Sequence, residues 1–191
     1  MNTPWYQKMF TANRTPAVPR IETATIPDEA DEQLVRGLKF SLGVGEAQNE
    51  VKAAELYRLA ADRGNALAQF NLAIMYDCGQ GVAQDRAEAT KWFHKAAAQG
   101  DAGAQLQMGK RCHRGSFGLP GEGASESKIE AYKWFNLAAV QGYKDSETHC
   151  EQIGLVMTRE ELNEGQRRVA RFVPDSRKAD RNRVDVSPDK S

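Results

Sequence analysis

The sequence predicts an all-α protein, a right-handed α-solenoid of about four antiparallel helix pairs. Three observations carry this: a period of 36 residues, apolar side chains at helical spacing inside each period, and capping residues and glycines recurring between the helices. Residues 30–65 and 66–101 align without a gap. The pairs include Ala30 with Ala66, Gln33 with Gln69, Phe40 with Tyr76, Ala53 with Ala89, Tyr57 with Phe93 and Gly64 with Gly100. A third copy at 102–143 returns Ala102, Gln105, Gly115, Ala131, Trp134, Phe135, Ala138, Gln141 and Gly142, with six extra residues in its central loop. A partial fourth copy starts at Lys144.

Each copy reads as two helices. The eight expected helices cover 29–42, 50–63, 66–78, 86–99, 102–114, 128–141, 144–155 and 159–172. In the second helix of copy two, Ala89, Trp92, Phe93, Ala96 and Ala97 fall at i, i+3, i+4, i+7 and i+8, which is one helix face. Alanines let two backbones approach while the rings fill the gaps beside them. Asp85 with Glu88, Ser127 with Glu130, and Thr158 with Glu161 have the spacing of capping boxes, and Met157 with Leu162 that of a hydrophobic staple. Gly64, Gly100 and Gly142 stand where a helix ends in a left-handed residue. Gly43 with Gly45, and Gly79 with Gly81, allow the reversal inside a pair. A lone pair leaves apolar surface uncovered, so the pairs must stack. The last helix is expected to cap the stack, with Arg159, Glu160, Arg167 and Arg168 on its outer side.

The flanks read differently. Residues 1–28 carry Pro4, Pro16, Pro19 and Pro27 and form an arm, in which Trp5, Tyr6, Met9 and Phe10 cluster as a greasy turn or docking element. The solenoid is expected over 29–173, and 174–191 is expected to be a charged, disordered tail. Lys and Arg number 26, as do Asp and Glu, so the chain has no basic field to favour nucleic acid. No stretch approaches the roughly 18 apolar residues of a membrane span, and direct membrane insertion is not expected. Three cysteines cannot all pair within one chain, which suits a reducing, cytoplasmic setting.

The run Ala68-Gln69, Leu72, Ala73, Tyr76, Gly79, Gly81, Val82, Asp85, Ala89, Trp92, Ala96-Ala97 and Gln99-Gly100 resembles the Sel-one-like repeat, a relative of the tetratricopeptide repeat. Copy three carries the same pattern at Gly109, Gly115, Ala131, Trp134, Ala138-Ala139 and Gln141-Gly142, while copy one is more degenerate, with Arg36 at the place of Leu72. The closing segment from Met157 to Phe172 resembles the helix that often ends such arrays. The resemblance implies a non-catalytic scaffold or adaptor that binds a protein or peptide. It also implies a binding wall on the solvent-facing side of each first helix. By register that wall comprises Asn71, Ile74 and Asp77, then Gln107, Lys110, His113 and Arg114, then Thr148, His149 and Gln152, with the more apolar Leu34, Val35 and Leu38 in copy one. Lys110 and Arg114 at i, i+4 suit an acidic group. A second reading makes the chain a regulatory subunit of a membrane or envelope complex, docked through the arm.

Neither catalysis nor a cofactor is expected. Cys112-His113 and His149-Cys150 hold the inventory of a zinc site, but helix neighbours point about 100° apart and do not converge on one ion. His94 lacks a nucleophile partner and reads as surface. The loop Ser116–Gly123 has no Gly-Lys-Ser/Thr and is not a phosphate loop. Its Phe117 and Leu119 either pack on neighbouring loops or meet a partner.

Overall fold

The computed structural model describes residues 28–115, 124–143 and 145–175. The Trp5–Phe10 cluster, the 116–123 loop and the tail beyond Asp175 lie outside the described residues. Within them the chain forms eight helices and no strand: α1 (Glu29–Leu42), α2 (Glu50–Asp62), α3 (Ala66–Cys78), α4 (Arg86–Ala98), α5 (Ala102–His113), α6 (Ala124–Val140), α7 (Ser146–Gly154) and α8 (Arg159–Arg171). Six of the expected boundaries at the N-terminal ends match to the residue; α6 starts four residues early and α7 two residues late.

The caps explain the boundaries. Asn49, Asn65 and Asp101 each accept a hydrogen bond from the backbone N–H three residues on, at 3.0, 2.9 and 2.7 Å. Asp85 accepts from both Ala87 and Glu88. Each such cap stabilises its helix by about 1 kcal/mol. Thr158 and Glu161 form the full reciprocal box. Ser127 does not cap anything: α6 already runs from Ala124, which puts Ser127 inside the first turn and frees Glu130 to pair with Lys133 and Arg168. At the other ends, the N–H groups of Gly64, Gly100 and Gly142 reach the carbonyls of Ala61, Ala97 and Ala139. The following residues, Asn65, Asp101 and Tyr143, reach Ala60, Ala96 and Ala138. This is one Schellman closure repeated three times, with glycine φ of 87°, 96° and 69°.

The core follows the period. Tyr57, Phe93 and Phe135 occupy one repeat position and are buried, as are Ala53, Ala89 and Ala131 beside them. Burying each ring stabilises the fold by about 1.5–3 kcal/mol. Within the first three pairs, α1 packs on α2, α3 on α4 and α5 on α6; the joints are α2 on α3 and α4 on α5. Glutamines set the register at these joints. Gln69 Nε2 donates to Ala61 O at 3.1 Å and Gln105 Nε2 to Ala97 O at 3.2 Å, each a first helix reaching the last turn of the preceding pair. Gln99 and Gln141 then donate to Gln69 and Gln105 at 2.7 and 2.9 Å, tying each second helix to its own first helix.

The end of the stack departs from the repeat. Both α7 and α8 pack on α6. Lys128 pairs with Glu161 at 2.8 Å, and Arg168 bridges Glu126, Glu130 and Glu164. Arg168 is therefore a buckle between α8 and α6, not an outward-facing cap residue; Arg159, Glu160 and Arg167 are exposed as expected. Three stacked pairs closed by two further helices make an α-solenoid.

Candidate binding face

The first helices carry the expected wall residues, and the structure treats them unequally. On α3, Asn71 and Ile74 are only 4% and 6% exposed. They line a cleft of about 20 Å³ with Ser41, Glu50, Tyr57 and Gln80, because the first pair stacks over this part of α3. Among the described residues neither amide atom of Asn71 has a hydrogen-bond partner. Asp77 is half-buried and held by Arg111 at 2.6 Å. On α1, Leu34 is buried and Leu38 half-buried, while Val35 is exposed.

The residues on α5 and α7 come together. His149 stacks on Phe135, ring centroids 5.0 Å apart and 20° between planes, which fixes the imidazole at the seam between α6 and α7. Burial holds its pKa below the usual imidazole value, and the neighbouring Lys110 and His113 push it further the same way, against Asp145 and a hydrogen bond with Gln152. Burial likewise lowers the Lys110 ammonium; Asp145 opposes this and Arg114 adds to it. Arg114 thus disfavours the charge on Lys110, Lys110 and His113 disfavour a charge on His149, and Asp145 favours both. Gln107 is half-buried, and Thr148 and Gln152 are exposed.

Two members of this face were missed in the sequence. Asp145 precedes α7 with φ of 66°, a left-handed conformation that Asp tolerates better than most residues. Only the broken repeat after Gly142 hinted at it. Arg111 lies over the Phe93 ring at 4.6 Å, bonds Thr90 and Asp77, and so joins α5 to the preceding pair. Its register equivalent in copy two is Met75, so no repeat pattern signals this role.

Chemistry is thin elsewhere. Among the described residues no three His, Cys, Asp or Glu side chains are grouped to hold a metal ion. Cys112 is buried, Cys78 and Cys150 are half-buried, and burial raises the pKa of the Cys78 and Cys150 thiols. His94 is exposed, as expected, and its ring stands edge-on to Trp134 at 6.0 Å. No described helix is long and apolar enough to cross a membrane.

A repeat array whose recurring geometry lies in its joints defines an α-solenoid of stacked helix pairs. The chain belongs to the Sel1 repeat family: the family model, described as Sel1 repeat, matches residues 40–65, 66–101 and 102–143, more than half of the chain. Such proteins are generally protein-interaction scaffolds and typically non-catalytic. A Sel1 repeat protein from Oxalobacter formigenes is similar over 73% of this chain, at 28% identity and a TM-score of 0.60. A protective antigen of uropathogenic Escherichia coli displaying the SLR fold is similar over 85% of this chain, at 26% identity and a TM-score of 0.63. This chain spans 58% and 34% of the lengths of those two proteins. No curated protein matches it.

Proposed function

We propose that the chain is a non-catalytic adaptor that holds an acidic segment of a partner protein in the concave groove of the solenoid, against α5 and α7. The observation that carries this reading is the gathering of Lys110, His113, Arg114 and His149 at α5 and α7, where Arg114 repels the partly desolvated Lys110. An incoming carboxylate relieves that repulsion and gains charge-assisted hydrogen bonds from Lys110 and Arg114. Gln107, Thr148 and Gln152 supply neutral donors and acceptors around it for a peptide backbone. Charge at such a site sets partner choice and encounter rate more than raw affinity.

The test is fluorescence anisotropy with acidic, neutral and basic peptides of matched length. The acidic set should bind about tenfold or more tightly than the others and weaken with salt. The double variant Lys110→Glu, Arg114→Glu should invert the preference. Equal binding of all three sets overturns the proposal.

A further inference from the structure

The 36-residue period shows which side of each first helix the preceding pair covers. On α3, Asn71, Ile74 and Met75 are buried, and they share a narrow cleft with Ser41, Glu50 and Tyr57 of the first pair. One period earlier these positions are Val35, Leu38 and Lys39 on α1. Among the described residues no helix precedes α1, so this side of it lies open. Val35 is 50% exposed, Leu38 half-buried and Leu42 53% exposed. At i, i+3 and i+7 the three form one apolar stripe along the helix, and the exposed Val44 follows it in the chain.

Charge along α1 decides what fits the stripe. Asp31 and Glu32 come before Val35, Arg36 and Lys39 after it, and all four are exposed. A helix laid antiparallel over α1 must therefore be acidic in its first half and basic in its second, and α1 itself is that helix. Glu32 stands three residues before Val35 and Lys39 four after it, about 4.5 and 6 Å along the axis. A two-fold axis at Val35 thus sets Glu32 of each copy beside Lys39 of the other, and a parallel arrangement would set like charges together. The far end of the stack offers no apolar counterpart: Arg159, Glu160, Asn163, Gln166 and Arg167 give α8 a polar exposed side.

We infer that two copies of this chain pair through α1, antiparallel about a two-fold axis at Val35. Val35 packs on the second copy's Val35, with the two Leu38 side chains on either side and the Glu32–Lys39 pairs flanking them. Each copy then supplies the other with the cover that the first pair supplies to α3. A contact of this symmetry closes on itself and stops at two. It is separate from the α5–α7 face and holds whatever binds there.

The test uses the full chain in sedimentation velocity across a range of concentrations. The mass should rise toward twice that of one chain. Glu32→Lys, and separately Arg36→Glu with Lys39→Glu, place like charges across the axis, and each should weaken self-association about tenfold or more. An equal mixture of those two proteins should regain the original affinity as a heterodimer, a result that a folding defect cannot give. A single-chain mass at every concentration overturns the inference, as does a dimer that all three substitutions leave unchanged. Photolysis of the Leu42→p-benzoylphenylalanine variant, in mixed isotopically light and heavy protein, should link position 42 of one copy to α1 of the other. Links confined to one chain, to residues 1–27, would make that segment the cover and overturn it too.

Discussion

Gly109 and Phe135 stand so close that a β-carbon on Gly109 would fall 2.5 Å from two carbons of the Phe135 ring. The same repeat position is Gly37 against Tyr57 in the first pair, at 2.7 Å, and Ala73 in the second. A small residue on the first helix and an aromatic on the second is thus the contact that closes each pair. In an open helix, glycine to alanine gains about 1 kcal/mol. Here the ring must move, at a cost of about 1–3 kcal/mol, so Gly109→Ala should lower the urea midpoint. Among the described residues nothing lies within 4 Å of a carbon added to Gly154 in α7. Gly154→Ala should leave stability unchanged or raise it, and a fall in both variants would refute the packing argument.

Asn71 is buried, and among the described residues both its amide atoms are unpartnered. A buried polar group without a partner costs about 1–3 kcal/mol, and leucine has the same branching and number of side-chain heavy atoms. Asn71→Leu should therefore raise stability by about 1 kcal/mol while leaving acidic-peptide affinity intact. Lost affinity would place the Asn71 cleft in the binding surface after all.

Acid should release α8. Hydrogen bonds from Lys128, then Ser125 and the Thr158 backbone, hold Glu161 at a pKa of about 2. Arg168 similarly lowers Glu164; for Glu130, burial opposes Lys133 and Arg168, which prevail. A carboxylate depressed by folding stabilises fully above its unfolded value near 4.5 and stops stabilising as pH falls through its folded value. Between those limits the α6–α8 contact should weaken. Trp134 carries Phe172 at the end of α8, so its fluorescence in a Trp5→Phe, Trp92→Phe background reads the change. Lys128→Met should move the transition to higher pH.

Binding should respond to pH through His149. Its depressed pKa keeps the imidazole neutral at pH 7, so it gains charge only as pH falls below its ordinary value near 6.5. Affinity for an acidic peptide should rise over that fall, while the peptide's carboxylates remain ionised above about pH 5. His149→Gln should flatten the rise, with His113→Gln as the companion measurement. An unchanged profile in His149→Gln would remove His149 from the face.

The period made the fold legible. Glycines at 64, 100 and 142 and the alanine–aromatic stripe report interactions between sequence neighbours or register equivalents, and these recur. What the sequence hid lies where the repeat is broken. The insertion before α6 drew Ser127 into a false cap, since Ala124 already begins the helix. Arg168 looked outward on helix spacing alone, yet three glutamates from two helices collect it. Asn71 and Lys110 fall on one predicted stripe, but one is under the first pair and the other at the α5–α7 face. Coverage of that kind depends on which neighbour lies over a position, and no local pattern encodes it.

Binding of an acidic segment at α5 and α7 is tested by photocrosslinking in the native cell from Gln107→p-benzoylphenylalanine, run beside the same protein carrying Lys110→Glu and Arg114→Glu. A protein should be captured through an acidic stretch, and the capture should be lost on charge reversal while circular dichroism stays unchanged. Capture that persists after reversal, or that maps to a basic or apolar segment, would contradict it.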